Sequence, residues 1–593
     1  MLGDTFKFIS VFIAEDPKNA FAILFACLVF YYFVLYPFYL SPLRHVPGPY
    51  INRVSKFRAL NDQRTHKWIS VVNDLHKKYG NVVILSPEEV SVNGDHKHLY
   101  DIYVKNMPKS KFYENFRNHG SRDNIFATLE NDLHLKYKRI LAPLYQNSAL
   151  YSPANSTRSI LREKTIQLLN QVYITSVTGE KPDYINARSE HNEFGKGYIC
   201  KDGGAWFDTS SKTNLGMDVY SLFASLAMDV VSAFELGSEN GSTLLVHPED
   251  RHILVSHRLV VSMGFWTTLI PTWWEWAADK KIMEAAASVE QWQLDLYEQA
   301  EKSKRGKNDP NEKYTNLNSL ETLNKNGFFG KDAYSFISDN IFAGHETTAI
   351  QLTYLTYELS RPCNGHIQKR LVRELKDTFG ENSGNSYDII DDMEAVENLT
   401  YLEAVLQENL RVHAPGTGSP PRVTTKPYSV ADPMNGTSLV IPAGIVISCS
   451  PYATHRKSNV FPDADCFIPE RWLQFEEESA IDYKKRWIFQ QKYMMPFSKG
   501  IRMCLGMNLA VIEMKLAIAN LYYNFRSEIS PDWCAVTPAS EYTIGDKYLP
   551  GNPIEMGSWK CGANDTDEER MCREDSFTTR PLNDELWLRW FKV

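Results

Sequence analysis

Near the C-terminal end of the chain, the stretch Phe497 to Gly506 reads FSKGIRMCLG, and an apolar helical pattern follows it to about Phe525. A cysteine in that setting can serve as the axial ligand of a haem iron, where a thiolate pushes electron density onto the metal and favours O–O cleavage. At a helix N-terminus, free N–H groups and the helix dipole both favour Cys504 as the thiolate. Gly500 and Gly506 let backbone approach a flat macrocycle or turn with positive φ. Arg502 can pair with a haem propionate, and Phe497 can shield the sulfur from water. The alternative is a buried cysteine followed by an ordinary helix. It leaves unexplained why five positions agree at fixed spacing.

A second stretch lies inside a long predicted helix, Lys331 to Ser360, whose centre reads Ala343-Gly344-His345-Glu346-Thr347-Thr348. Glycine inside a helix costs about 1 kcal/mol relative to alanine. Threonine can bond back to the i−4 carbonyl and bend the helix. Both choices suit a helix passing over a cofactor, where Gly344 leaves room for O2 and a hydroxyl relays protons. A glycine-containing core helix is the alternative. Further on, Glu408 and Arg411 stand three apart in a predicted helix, Tyr401 to Val412, and so share a face. Taken alone they make an exposed ion pair worth under about 1 kcal/mol. Arg471 follows in FIPERW, Phe467 to Trp472.

These four motifs, in this order, resemble the cytochrome P450 enzymes over about residues 45–550: FxxGxRxCxG, [AG]GxxT with an acid before the Thr, ExxR, and a PERF-like segment. The resemblance implies a mainly α fold with small β-sheets, the cytochrome P450 fold with an N-terminal transmembrane helix. It implies haem b (iron protoporphyrin IX) between two helices, with Cys504 as the metal ligand and Phe497, Gly500, Arg502, Gly506 and Gly344 around it. Thr347 would hold dioxygen and Glu346 would supply protons. Glu408, Arg411 and Arg471 would form a buried, structural triad whose breakage strands a charge at about 3–5 kcal/mol. His134 and Lys138, four apart in HLKYKRIL, would contact propionates, with Lys138 in place of the usual arginine weakening the bidentate grip. A solvated basic face fits the same two residues equally well. Arg422 is a further propionate contact.

The elements that must position these residues begin with Phe21 to Leu40, free of charge and long enough to cross a bilayer. Tyrosines at 31, 32, 36 and 39 suit an interface belt. Acidic residues precede the stretch and Arg44, His45, Arg53, Lys56 and Arg58 follow it, which places the remainder in the cytosol. A cleaved signal peptide is the rival reading; its apolar region would be shorter and end in small residues. The expected division is a luminal segment (1–20), a transmembrane helix (21–40), a proline-rich hinge (41–50), a haem-thiolate catalytic domain (51–550) and a C-terminal extension (551–593) without assigned function. Residues 180–216 read as a loop insertion. Short strands are expected at Val82–Leu85, Glu89–Val92, Val423–Val430, Ser438–Ile441 and Gly444–Ser448, with the last strands near Glu541–Ile544.

Across 593 residues, 43% hydrophobic and 23% charged with a net charge of −8, the composition is globular and argues against nucleic acid as a partner. Nine cysteines without CxxC pairs do not make a disulfide framework or a zinc site, although Cys561 and Cys572 in the tail lack an explanation. With no Walker loop and no GxGxxG, electrons must come from another protein. The resemblance makes that partner a membrane-bound NADPH–cytochrome P450 reductase, docking on the Cys504 side against Lys499, Arg502 and Lys136. It implies a single-pass protein of the endoplasmic reticulum membrane, in contact with lipid.

The implied reaction is R–H + O2 + two electrons + two protons → R–OH + H2O on a lipophilic small molecule, in the style of fungal secondary-metabolism members. A haem-thiolate isomerase or dehydratase is one alternative, and Glu346-Thr347 speaks against it. A non-enzymatic haem-binding protein is the other. Specificity is expected in residues 105–130, in 250–280 including the aromatic run Phe265–Trp276, on the face of Phe336, Asn340 and Ala343, in 415–422 and in the C-terminal strands.

Overall fold

The computed structural model describes the chain apart from residues 1–16, 94–95, 154, 180–206, 209–212, 215, 262–272, 274–275, 277, 306–317, 432–437, 540–553, 555, 558–565 and 577. The luminal segment, the 180–216 insertion, most of the aromatic run and the strands expected near Glu541 therefore lie largely or wholly outside the described residues.

Helix α1 (Pro17–Phe30) continues as a wider turn over Tyr31–Leu40. Nearly all its large apolar side chains face outward, and Phe21–Leu40 is long and apolar enough to cross a membrane. The hinge after it is tied down by the Arg53 guanidinium, which donates to the carbonyls of Arg44 (3.1 Å) and Val46 (2.6 Å). Strands β1 (Val82–Ser86) and β2 (Glu89–Val92) form an antiparallel hairpin, and every residue of β1 is buried. Helix α2 (Asn131–Leu141) follows.

Strand β3 (Met217–Asp218) leads into α3 (Val219–Leu236). Asp218 caps that helix by accepting from the Tyr220 N–H. α3 is mostly apolar and buried along its whole length, as a helix enclosed by others must be, and its Asp229 and Glu235 are buried with hydrogen-bond partners. Then come α4 (His252–Val261) and the long α5 (Lys331–Ser360), which packs along α3. Helix α6 (Thr400–Val412) precedes four short strands: β4 (Arg422–Val423), β5 (Tyr428–Ala431), β6 (Ser438–Ile441) and β7 (Val446–Ser448). The expected single strand 423–430 is thus split in two. Pro427 has no N–H for a ladder, and Thr424 turns its hydroxyl to the Pro442 carbonyl at 2.7 Å. The four-stranded sheet runs β1-β2-β7-β4, with β2 and β7 parallel.

After α7 (Met507–Asn524) and β8 (Phe525–Ile529), the chain closes with β9 (Arg573–Ser576), β10 (Thr578–Pro581) and β11 (Trp587–Lys592). β11 pairs antiparallel with β8 from Phe525↔Lys592 to Ile529↔Leu588, and its start pairs with β3. Trp587, Leu588 and Trp590 are buried. The β9–β10 hairpin is stitched to the segment after α6 by Thr579 N to Pro415 O (2.9 Å) and by Arg573 Nη1 to Val412 O (2.6 Å). Residues 551–593, set apart in the sequence as an extension, therefore contain strands of the fold itself. The polar run REDS at β9 carries no apolar alternation, which hid the strand from pattern reading. Cys572, unexplained in the sequence, is disulfide-bonded, while the six other described cysteines are free.

Candidate active site

Cys504 sits two residues before Gly506, the N-cap of α7, and its N–H donates to the Phe497 carbonyl at 2.8 Å. That bond closes the loop on itself, with Phe497 half-buried against the main core. Gly500 has φ +68°, and a Cβ there would lie 2.7 Å from Asn106 Oδ1, so only glycine fits. Its close neighbour is protein backbone, Tyr103 to Asn106. Gly506 has φ −83° and nothing nearer its missing Cβ than Tyr145 Cε1 at 3.8 Å. Two cations pull the loop onto α2. Lys138 Nζ donates to Ile501 O (3.1 Å) and Met503 O (2.5 Å). Arg502 donates to Thr128 O and Leu129 O (2.7 Å each) and to Asn131 Oδ1 (2.9 Å).

Cys504 keeps accessible surface although protein surrounds it densely, as expected of a group facing an internal cleft. Burial pushes its thiol pKa up. The Gly506 and Met507 amides and Lys138 act in the opposite sense, and Asp339 adds to the rise. The helix N-terminus thus favours the thiolate without sufficing for it, and a bound cation would complete the task.

Above the loop lies an unusual concentration of buried positive charge. Lys109, Arg422 and Arg502 are all buried, and Lys109 pairs with Arg422 through a backbone bridge. Arg422 donates to Tyr113 Oη at 3.0 Å, and Lys109 Nζ lies 4.1 Å from the Tyr113 and Phe126 ring centroids. Burial, then Arg422 and Arg502, drive the Lys109 pKa well down, against the opposing pull of Asp339. His134 is buried among them with Nδ1 unbonded. Its pKa falls to about 3 through burial and the charges of Arg502, Lys109, Lys138 and Arg422, so the ring is neutral at pH 7. Buried cations on this scale call for an anion, and two carboxylates of one ligand would meet the need. The arrangement fits a haem whose propionates reach this cluster. The charges of Lys138, Arg422 and Arg502 all act on His134 here, although the Lys138 ammonium is spent on the loop carbonyls. Lys109 was missed, because a lysine in a loop gives no sequence signal until β4 brings Arg422 beside it.

On α5, Asn340, Ala343 and Thr347 fall on one helix face and keep accessible surface, while residues 348–360 are buried. Thr347 Oγ1 donates to Ala343 O at 2.7 Å, the back-bond expected of a mid-helix threonine. Gly344 corrects the sequence reading. A Cβ there would stand 2.7 Å from Val231 Cγ2, so the glycine serves the crossing of α3 and α5 rather than a space for O2. The structure also separates Glu346 from Thr347. The Glu346 carboxylate is buried on another side of the helix, with Oε1 3.9 Å from Arg580 Nη1 of β10. Burial raises its pKa, opposed by Arg580 and Arg258. Asp339, one turn before Ala343, is an acid that the sequence did not single out. It accepts from the Phe126 N–H at 3.2 Å, and burial pushes its pKa up to about 7 against the pull of Lys109.

Glu408, Arg411 and Arg471 meet in the interior. Arg411 Nε and Nη2 donate to Glu408 at 2.9 and 2.7 Å, and Arg471 Nε donates to it at 3.0 Å. Ile468 N (2.8 Å) and Trp472 Nε1 (2.9 Å) also donate to Glu408. Burial alone would raise the Glu408 pKa, but the two arginines outweigh it and hold the carboxylate at about 2. Arg411 Nη1 reaches His455 O, and His455 Nε2 accepts the Met495 N–H at 2.8 Å. The triad therefore braces the segment that carries the cysteine loop.

Two residues expected on a docking face are otherwise engaged. Lys499 Nζ donates to Gln491 O at 3.0 Å, and Arg502 points inward as described. Lys136 is exposed.

A family model described as Cytochrome P450 matches residues 204–541. The chain is similar to the cytochrome P450 monooxygenase BOA3 of Botryotinia fuckeliana, at 25% identity covering 84% of this chain and 88% of that protein. It is 26% identical to the cytochrome P450 monooxygenase aba2 of the same organism, covering 83% and 84%. It is likewise 26% identical to the cytochrome P450 monooxygenase hepC of Aspergillus oryzae, covering 84% and 91%.

Proposed function

This chain belongs to the cytochrome P450 family, and from that premise we propose that it inserts one atom of O2 into a lipophilic small molecule, with electrons from NADPH–cytochrome P450 reductase. The observation that carries the reading is the pairing of the clamped Cys504 loop with the buried cations Lys109, Arg422 and Arg502. A bound haem b would supply dioxygen activation. Cys504 Sγ would be its protein ligand. Lys109, Arg422, Arg502 and the neutral His134 would hold its carboxylates.

The chain's own groups then divide the work. Asn340, Ala343 and Thr347 line the accessible face of α5, where a substrate would rest against apolar walls and exclude water. Thr347 Oγ1 can pass a proton once it gives up its bond to Ala343 O. Glu346 can hold the proton that replaces it, provided its carboxyl leaves Arg580. The balance is R–H + O2 + two electrons + two protons → R–OH + H2O.

The outward-facing apolar surface of Phe21–Leu40 supports a single-pass anchor, in our reading in the endoplasmic reticulum membrane with the catalytic part cytosolic. The similarity to the monooxygenases named above supports a place among fungal secondary-metabolism enzymes. The test begins with the purified protein, reduced and exposed to carbon monoxide. A strongly red-shifted Soret band is expected in wild type and its loss in Cys504→Ser. Titration of lipophilic compounds for a spectral shift, then NADPH-dependent turnover with added reductase, tests the remainder. Turnover that needs no reductase would sink the monooxygenase reading.

A further inference from the structure

The C-terminal hairpin places an arginine against the acid of α5, and this has a consequence for the function proposed above, on which it rests. We infer that Arg580 is the positioning residue that sets the orientation and charge of Glu346, so that the last strands of the chain are part of the proton-supply machinery.

Arg580 is buried and shared among three carboxylates. Its Nη2 lies 3.3 Å from Glu574 Oε2, its Nε 3.2 Å from Asp584 Oδ1, and its Nη1 3.9 Å from Glu346 Oε1. Arg258 of α4 meets the other Asp584 oxygen at 3.4 Å and lies 4.4 Å from the ring centroid of Tyr220 on α3. The short contacts go to Glu574 and Asp584. Glu346 holds the loosest one, and neither Glu346 Oε1 nor Arg580 Nη1 has a hydrogen bond. A pair built only to pin the hairpin to α5 would close that gap into a directional bond, as Glu408 does with Arg411. Here the attraction of Arg580, with the Thr578 side chain beside it, holds the carboxylate without the bidentate lock seen at Glu408. Among the described residues, three acids face two guanidiniums here, which makes one of these carboxylates a seat for a proton. Glu346 on α5 and Asp584 after the hairpin are the two inner acids, with side chains 6% and 4% exposed, against 17% for Glu574, so the cluster runs from a solvent-touching carboxylate to one at the centre of α5. Arg580 stands between them and keeps its own proton throughout.

The test uses the full-length holoenzyme. The infrared carboxylic-acid band that vanishes in Glu346→Gln reports protonated Glu346. Arg580→Met should strengthen that band at neutral pH. It should also enlarge the solvent isotope effect on reductase-driven NADPH consumption in O2 alone, and raise the hydrogen peroxide released per NADPH. Arg580→Lys should return all three toward wild type. A band and an isotope effect unchanged in folded Arg580→Met, or an Arg580→Lys that behaves like Met, overturns the inference. If Arg580→Met does not fold, Glu574→Gln serves instead. It frees Arg580 for Glu346 and must weaken the band; no change refutes the assignment. Loss of the red-shifted carbon monoxide band in wild type would strike the haem-thiolate reading alone and leave the infrared result standing.

Discussion

At the scale of single residues, charge decides the site. Lys109, Arg422 and Arg502 are buried close together, each donating to a backbone carbonyl, and an anion would offset the charge they share. Replacing Lys109 with Met should therefore speed haem loss about ten- to a hundredfold, the value of one charged hydrogen bond of about 1.5–3 kcal/mol. Haem transfer to an acceptor protein measures it, and an unchanged rate would remove Lys109 from the cofactor site. Glu408 carries the opposite sign. Its pKa, about 2 in the fold, lies below the ordinary 4.5. Its contribution to stability is thus complete above about pH 4.5 and fades as pH falls toward about 2. Glu408→Gln should cost about 3–5 kcal/mol near neutrality. Urea unfolding at stepped pH should show the gap to wild type narrowing between about pH 4.5 and 2.

At the scale of elements, the crossing of α3 and α5 sets where the accessible face of α5 points. Val231 leaves no room for a side chain at position 344. Gly344→Ala should destabilise by about 1–3 kcal/mol through overpacking, even though alanine is the better helix former by about 1 kcal/mol. Adding Val231→Ala should recover part of the loss. Denaturant midpoints of the single and double variants decide this, and simple additivity would show that the two sites do not touch. The loop before α7 obeys a similar logic. Gly500 is required by Asn106 and the Tyr103 carbonyl, while Lys138 and Arg502 hold the loop by its carbonyls and by α2.

At the scale of the whole molecule, the chain's end is joined to its middle. β11 completes a sheet with β8 and β3, and the β9–β10 hairpin packs beside α5 and the segment after α6. A protein truncated after Cys572 would expose the edge of β8 and the neighbours of Trp587 and Trp590. Such a protein should be insoluble or lack the carbon monoxide band, whereas an appendage could be removed without effect. The outward apolar surface of Phe21–Leu40, by contrast, makes its contacts elsewhere and fits lipid rather than the globule.

How much was legible follows from how local each signal is. The cysteine loop, the Glu408–Arg411 pair, α5 and the apolar N-terminal helix rest on spacing within one element or on an unbroken run, and the chain alone determined them. Three things needed the assembled fold. The function of Gly344 depended on Val231, which is remote in sequence. The anion site depended on Lys109, which gains meaning only when β4 sets Arg422 beside it. The partner of Glu346 depended on a polar hairpin some 230 residues away by number. In each case the deciding quantity was a distance between segments with no periodic relation, and burial turned that distance into energy: a methyl with no space, or a charge with no water.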